Sequence, residues 1–553
     1  MAASPTERRF RNAGLWLVLL AALAISITPI LAPAVPHAYA TDQFSTDRAI
    51  DHVRSIALRP HPMGTTAGTR VREYLVATLL ESGIEPELQT VEAPDYFGAP
   101  GGTVAVTNVL ARIRGSGDGE AILLMAHYDT VPTTPGANDN SAAVAALLEV
   151  ARVLAASPNL ANDVIILFTD GEEPAPRYGA SAFASSHPWN RDVRLAVNFE
   201  GIGVAGPSML VETSGPNAAL VDGLSSAAAN PVAYSFMATT ADLIGGAASD
   251  FDVIHSANLP GFNFAYLRGS SVYHTPRDDI ASTNVRGVAH HGSLALGIVG
   301  SFGDRDLVEL SEPGDSVFFT IPFSLVIRYP VGWGATTAIL ATAGFFAALR
   351  FRRRHASSPV RPVRAAGLVL LGTLGSVALT TVAWIGLVNA RPKMGVGEAY
   401  GYLAALIGVL GAGWYTTRRR AIRRGVDPGA GIVALWVVLC LVVGLALPAL
   451  GYLFAVPALA TAIAVLLPPR EAGYRLHLTR TALVAIVAFV IMTPAVDTFF
   501  HLAGPRPGNP SSELPEVIAV AMLLAFLTIG LVASIAAKSA PDPAPGNSST
   551  VRL

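Results

Sequence analysis

The sequence predicts two architectures in one chain of 553 residues: an α/β domain whose largely parallel sheet lies between helices, and an all-α bundle of membrane-spanning helices. Three observations carry this. Between residues 42 and 317 short β-rich runs alternate with helical patterns, the order that builds a parallel sheet covered on both faces. After Arg328 the chain becomes a series of long uncharged runs, at 329–349, 365–390, 399–417, 428–469, 481–496 and 517–537. The composition, 51% hydrophobic and only 14% charged with a mean hydropathy of +0.46, belongs to no ordinary soluble globule.

Taken in order, the first element is apolar. Residues 12–41 carry no charge, and their core at 15–31 follows Arg8, Arg9 and Arg11. This is a signal anchor or a signal peptide: Ala38-Tyr39-Ala40 fits a small-residue cleavage site, while the apolar length approaches the ~20 residues of a bilayer span and favours a retained anchor. Either way the basic flank stays in the cytoplasm and the polar domain after it is exported. In the exported domain, 42–317, strands are predicted over 121–126, 164–168, 195–199 and 209–211, and helices over 71–80, 142–154 and 288–299. The 428–469 run is about twice the length of one span, and Pro448 and Gly451 at its middle predict a hairpin of two helices. Eight spans result: one in 1–41 and seven in a membrane domain of 318–538, which leaves 539–553 as a cytoplasmic tail.

Arginine placement gives the orientation without reference to hydropathy, because Lys and Arg concentrate in cytoplasmic loops. One loop that the eight-span order puts inside carries Arg350, Arg352, Arg353, Arg354, Arg361 and Arg364, the next Arg418, Arg419, Arg420, Arg423 and Arg424, and the third Arg470, Arg475 and Arg480. The outside loops hold Arg391, Lys393 and Arg506. Both termini are therefore placed in the cytoplasm. The formal charge of −2 is the sum of opposed halves: residues 41–317 carry 15 Arg, no Lys and 32 Asp plus Glu, hence −17, and the remainder carries +15. Nothing in this balance points to a nucleic-acid partner. The scarcity of lysine, with only Lys393 and Lys538, points to a GC-rich bacterial genome and so to a bacterial plasma membrane. The lone cysteine, Cys440, excludes an intrachain disulfide and cysteine-based zinc fingers. Any metal site must come from His, Asp and Glu.

The chemistry gathers in the exported domain. His127 and Asp129, in Ala126-His127-Tyr128-Asp129-Thr130, leave the C-terminal end of a predicted strand, where open α/β sheets bind ligands. Residues two apart there point the same way, so Asp129 is placed to accept a hydrogen bond from one nitrogen of His127 and leave the other for a metal. Asp139, in Gly136-Ala137-Asn138-Asp139-Asn140, caps the following helix or bridges two metals. The next strand ends in Asp170-Gly171-Glu172-Glu173, an adjacent pair whose repulsion a cation would relieve, and the one after it ends in Glu200. Ser271-Val272-Tyr273-His274-Thr275 supplies a second candidate histidine. His127, Asp139, Glu172, Glu173, Glu200 and His274 thus converge on one sheet edge, and bland surface roles for all of them together do not account for the pattern. The set suits two divalent ions, zinc with manganese or cobalt as alternatives, each holding one His, one terminal carboxylate and a shared carboxylate. Two such ions acidify a bridging water and polarise a carbonyl, and Glu172, next to Glu173 but not ligating, would carry the proton from water to leaving amine.

The order H-x-D, G-A-x-D-N, E-E, N-x-E-G and Y-H-T resembles the co-catalytic zinc peptidases of family M28, which include bacterial aminopeptidases, glutamate carboxypeptidase and glutaminyl cyclase. The resemblance covers roughly residues 45–305. It implies a three-layer α/β/α zinc-exopeptidase-like domain with a mixed, largely parallel sheet and two Zn²⁺. His127, Asp139 and Glu200 would hold one ion, and Asp139, Glu173 and His274 the other. Glu172 would be the general base, with Asp129 orienting His127. Aminopeptidases usually have Asp at the position of Glu200. Glutamate there, Ser249-Asp250-Phe251, a multispan C-terminal half and the segment 317–329 are similar to the endoplasmic-reticulum and vacuolar membrane metallopeptidases. Tyr273 is placed to donate to the tetrahedral oxyanion, worth about 3 kcal/mol in such roles. Arg268 is placed to hold a substrate carboxylate, with a surface salt bridge as the plain alternative.

The sequence therefore predicts a membrane-anchored zinc exopeptidase, by default an aminopeptidase, whose partners are a peptide or protein substrate and the lipid bilayer. No residue speaks to oligomeric state. Peptidases with a dimerisation insert share H-x-D-x-V-P and E-E, but a lid domain does not fit in the 74 positions between Glu200 and His274. Gly201-Ile202-Gly203-Val204-Ala205-Gly206 matches a dinucleotide fingerprint, except that a β-rich run follows in place of a helix. His61, His290, His291 and Glu149 read as surface or helix-face residues. The remaining alternative is a catalytically inactive ectodomain of a receptor or transporter. The near absence of charge in the spans, Asp497 and Glu398 excepted, and the filled metal positions argue against it.

Overall fold

Uninterrupted apolar runs make strands that must be covered on both sides, and this dictates the architecture of the polar domain. The computed structural model describes residues 5–31, 43–354 (apart from 99, 118, 157–159, 174, 175, 228, 229, 245 and 247), 362–467, 474–505 and 515–536. Its main sheet contains β1 (Glu87–Pro94), β2 (Thr103–Ile113), β3 (Ala121–His127), β4 (Asp163–Thr169), β5 (Val193–Gly201), β6 (Met209–Ser214), β7 (Val232–Ala233) and β8 (Gly261–Tyr266), in the spatial order β1-β2-β4-β3-β5-β8-β6-β7. The central run β4-β3-β5-β8 is parallel, as is β6-β7, while β1-β2, β2-β4 and β8-β6 are antiparallel. Mixed and largely parallel, it is the sheet the resemblance implies.

Successive residues of β3 point to opposite faces. Ile122, Leu124 and Ala126 join the cluster formed with α2 (Thr46–Ile56), α3 (Thr66–Glu81), α4 (Ala142–Ala156) and α9 (Val285–Phe302). Leu123 and Met125 pack with Phe183 of α5 (Tyr178–Ser186) and with Phe251 and Ile254 of α8 (Phe251–Ser256). These are the three layers. The helices predicted over 71–80 and 288–299 extend to their caps: Thr65 Oγ1 accepts from Gly68 N, and Asn284 Oδ1 from Gly287 N. The β1–β2 hairpin and β8 have no counterpart among the predicted strands.

Of the four residues read as surface or helix-face, three do lie on helices, Glu149 on α4 and His290 and His291 on α9, but the structure corrects the exposure expected of them. Glu149, His61, His290 and His291 are all buried. The inward face of α4 carries Glu149, which accepts from Ser45 N and pairs with Arg48 and Arg152. Ser208 holds both histidines of α9, its N–H donating to His290 Nδ1 and its hydroxyl bonding His291 Nδ1. A polar residue at a helical spacing looks exposed until a distant loop provides its partner.

The polar domain continues through α6 (Ala218–Ser226) and α7 (Ser235–Ile244) to a two-stranded hairpin, β9 (Ser316–Ile321) and β10 (Leu325–Pro330), so the border expected at 317/318 falls inside β9. The apolar helices are α1 (Pro5–Ser26), α10 (Trp333–Arg354), α11 (Pro362–Ala390), α12 (Val396–Arg423), α13 (Pro428–Ala446), α14 (Tyr452–Leu466), α15 (Tyr474–Leu502) and α16 (Pro515–Ala536). Where eight crossings are expected, six helices among the described residues are long and apolar enough to cross, and the stretches Trp333–Ala347 and Tyr452–Leu466 are shorter. The 428–469 run does break into two helices, at 447–451, but the break takes residues from the second. The triplet Ala38-Tyr39-Ala40, Arg361, Arg470, Arg506 and the 539–553 tail lie outside the described residues.

The two parts share one apolar cluster: Met209, Val211, Tyr234, Phe236 and Leu267 of the polar domain pack with Tyr452, Phe499 and Phe500 of the bundle. Phe319 stacks on Tyr452 with centroids 4.5 Å apart, and Ser235 Oγ donates to Ala449 O at 2.8 Å. Among the described residues, bundle segments at 28–30, 394–400, 447–452 and 497–504 supply contacts.

Candidate metal centre

Parallel register brings the strand ends together. His127 closes β3 opposite Thr169, the last residue of β4, and Glu200 lies near the end of β5 opposite Ala265 of β8. From these ends hang the other groups: Asp139 in the turn before α4, Glu172 and Glu173 after β4, Tyr273 and His274 after β8.

Two constellations share one carboxylate. His127 Nε2 lies 3.4 Å from Asp139 Oδ1 and 3.4 Å from Glu200 Oε2. His274 Nε2 lies 3.2 Å from Asp139 Oδ2 and 2.9 Å from Glu173 Oε1. Asp139 therefore presents one oxygen to each histidine. Donor atoms of His127, Asp139 and Glu173 all fall within 4.8 Å of one another, so one cation could touch all three. Glu172 makes none of these contacts and lines the cleft beside them.

The charges fit a cation. Burial pushes Glu172 well above the carboxylate range and, with the Asp139 charge, takes Glu173 to about 7. Burial also opposes the ionised form of Asp139, but hydrogen bonding and charge from both histidines hold it below its ordinary value. His274, despite a burial penalty, is raised to about 10 by Asp139 and Glu173. A bound cation would relieve the same crowding of buried carboxylates. Asp139 Oδ2 is buried and, among the described residues, accepts no hydrogen bond beyond its 3.2 Å approach to His274 Nε2, so it keeps a lone pair for a ligated ion. Nitrogen and oxygen donors without thiolate suit zinc.

Supporting residues fix the donors. Asp129 is placed differently from expectation: its carboxylate accepts the backbone N–H groups of Glu172 and Glu173, each at 3.1 Å, and stands 3.6 Å from His127 Nδ1, which lies 3.1 Å from the Asp129 backbone carbonyl instead. The tight turn after β4, with Gly171 at φ +70°, brings those N–H groups over the Asp129 side chain. Asn198 and Asn140 donate to the two oxygens of Glu200 at 3.1 and 3.2 Å. Asp278, which the sequence did not single out, accepts from Asn138 N at 2.9 Å, Asn138 Nδ2 at 2.7 Å and Asp139 N at 3.1 Å, and so holds the bridging loop. Its only sequence signal is an acidic pair, Asp278-Asp279, four residues past His274. Asp250 accepts from Thr169 Oγ1 at 2.5 Å.

A cleft of about 400 Å³ opens over the centre. His127, Asp139, Glu172, Glu173 and Glu200 line one side, and Ile202, Val211, Ala248, Ala265 and Tyr273 supply an apolar wall. Tyr273 stacks on His274 with centroids 3.7 Å apart. Arg268 does not reach the cleft as a carboxylate clamp, nor is it a surface pair: its guanidinium is bound to Asp497 in α15. The glycines after Glu200 serve close packing, since a Cβ on Gly203 would lie 2.2 Å from Arg268 O, and the chain proceeds into strand β6 where a dinucleotide fingerprint needs a helix.

Comparison with known proteins adds a family likeness. Residues 108–299 match the profile of Peptidase family M28. Endoplasmic reticulum metallopeptidase 1 of Rattus norvegicus is 29% identical over 263 residues, 46% of this chain and 29% of that protein. Vacuolar membrane protease of Schizosaccharomyces japonicus is 31% identical over 255 residues, 44% of this chain and 30% of that protein. The match therefore spans about three tenths of these relatives' length. Among solved structures, an Acidobacteriales bacterium glutaminyl cyclase is 19% identical, covers 49% of this chain and 99% of its own, and superposes with a TM-score of 0.40. Over residues 108–299 the polar domain of this chain is thus similar to peptidase family M28, and the proteins it resembles include the endoplasmic-reticulum metallopeptidase and the vacuolar membrane protease.

Proposed function

We propose that the protein is a multi-pass membrane zinc exopeptidase, an aminopeptidase, that cleaves peptides with a water activated between two metal ions. The observation that carries this is the split of contacts at Asp139, one oxygen toward His127 and one toward His274, with Glu200 and Glu173 completing the two sets. Zinc held there would supply Lewis-acid polarisation of the scissile carbonyl and acidify the attacking water.

The chain's own groups do the rest. Glu172 accepts the proton of the attacking water on its carboxylate and returns it to the leaving amine; the burial that raises its proton affinity suits a group that must hold a proton in transit. Asp129, through the Glu172 and Glu173 amides, keeps that carboxylate at the cleft. Tyr273 donates from the rim to the oxyanion. The wall of Ile202, Val211, Ala248 and Ala265 accepts an apolar substrate side chain and excludes water.

The polar domain is placed on the outer side of a bacterial plasma membrane, with both chain ends inside. Its contacts support this placement: among the described residues, bundle segments that touch it include 28–30, 394–400, 447–452 and 497–504, all of which the arginine pattern puts outside. The test is metal analysis of the purified full chain together with cleavage of matched free-amine, N-blocked and free-carboxylate peptides. About two zinc per chain and hydrolysis confined to free-amine peptides are expected. Cleavage of N-blocked peptides alone, or no bound metal, would contradict the proposal.

A further inference from the structure

Arg268 and Asp497 are each conspicuous in the sequence, and the structure joins them. Arg268 directly follows β8 and begins the 268–274 loop that ends at His274. Its Nη2 lies 2.7 Å and its Nε 3.1 Å from Asp497 Oδ2, and both side chains are almost fully buried. Tyr400 of α12 donates to the other oxygen, Asp497 Oδ1, at 2.8 Å, and His501 Nε2 stands 3.7 Å from that oxygen. The pair lies at the outer end of the bundle, where an uncompensated charge of either sign is costly.

The same loop is held by the bundle at two more points. Ser271 Oγ donates to Met394 O at 2.8 Å, and a Cβ on Gly269 would lie 2.6 Å from Val204 and 2.8 Å from Val396, so the loop is wedged between the strand exit after Glu200 and the start of α12. Arg268 O in turn accepts from Val204 N at 2.7 Å and Ala205 N at 3.1 Å. One residue thus ties the segment following Glu200 to the loop carrying His274. His274 itself has a left-handed backbone, φ +56°, a conformation unfavourable for a non-glycine residue that persists only where its surroundings impose it.

We propose that the membrane bundle is part of the catalytic unit, with Asp497 acting as a positioning residue that fixes the 268–274 ligand loop through Arg268. The bundle is then more than an anchor. This rests on the dimetal reading for its consequence in catalysis, but its structural content is independent of peptide cleavage.

The test uses the full chain in detergent, comparing the parent with Asp497→Asn, Asp497→Glu and, as a control for general loss of stability, Leu410→Ala, a buried site farther along α12. In Asp497→Asn, amide hydrogen exchange over 268–277 should quicken by about tenfold or more while β3 and β4 keep their protection. Zinc should be surrendered to a chelator about tenfold faster. The kcat should fall more than KM rises. Asp497→Glu should restore most of the loop protection, and Leu410→Ala should lower the thermal midpoint without loosening the loop. If Asp497→Asn does not fold, Tyr400→Phe, which removes one hydrogen bond to Asp497, should loosen the same segment to a smaller degree. Loop exchange and zinc retention unchanged in the Asp497 variant, or loosened equally by Leu410→Ala, would overturn the proposal. A parent chain that cleaves no peptide but whose loop loosens on Asp497→Asn would sink the peptidase reading and leave this one standing.

Discussion

At the scale of single residues, the centre shows which roles a sequence pattern reveals. His127, Glu173 and Glu200 end strands or follow them within a few residues, so spacing alone brings them to one edge, whereas His274 follows β8 at a distance and was legible only as the Tyr273-His274-Thr275 segment. Asp278 could not be found that way, because the amides it holds are about 140 positions away and its effect depends on a turn that only the fold creates. Asp278→Ala should free the Asn138-Asp139 loop and weaken zinc binding by about 10–100-fold, measured by chelator competition on folded protein. His291 gives a pH prediction. Burial, with the neighbouring His290 adding to it, takes its pKa down to about 3. The folded state therefore keeps it neutral while the unfolded chain takes up a proton below ~6.5, so its contribution to stability is complete above that pH and declines by about 1.4 kcal/mol per unit as pH falls toward 3. His291→Gln should flatten the fall of the thermal midpoint between pH 6.5 and 4.5 relative to the parent.

At the scale of elements, β3, β4 and β5 were legible because they are buried on both faces and read as apolar runs. The β1 strand was not, because Glu87–Pro94 lies at the sheet edge, mostly exposed, and alternates too weakly to stand out. β8 was missed for a different reason: its Gly261-Phe262-Asn263-Phe264 places a buried asparagine inside a strand, bonded to Asn198 and Glu212, and polar residues in a short run hide its period. The G-x-G-x-x-G segment shows a signal whose cause is packing. Gly203→Ala should force apart the β5 exit and Arg268, since the obstructing atom is backbone, and should lower stability by about 1–3 kcal/mol together with zinc retention. Dinucleotide binding should be undetectable in both forms. A variant as stable as the parent would show that this approach is not constrained.

For the whole molecule, the near-zero net charge conceals a polar domain at −17 and a remainder at +15. Part of that acidity is the carboxylate cluster of the centre, where burial and mutual repulsion would be relieved by bound cations. The described arginines Arg418, Arg419, Arg420, Arg423 and Arg424 sit at the end of α12 opposite the Val396 end that meets the polar domain, which is why an orientation could be proposed without hydropathy. Single cysteines in a Cys440→Ala background should therefore react with an impermeant thiol reagent in intact cells at exposed Glu92 but not at Arg419; the reverse pattern would invert the topology. Helix lengths were less legible, because a hydrophobic run reports how far a segment is apolar and not where a proline or glycine breaks it.

The central claim, that Glu172 carries the proton while its neighbours hold the metal, is tested most directly by Glu172→Gln in the full-length chain, with zinc content and peptide hydrolysis measured on the same preparation. We predict that about two zinc per chain remain and that kcat falls by roughly 10²–10⁴-fold. Hydrolysis at the parent rate would contradict the mechanism, and loss of zinc alongside activity would make Glu172 a ligand and not the base.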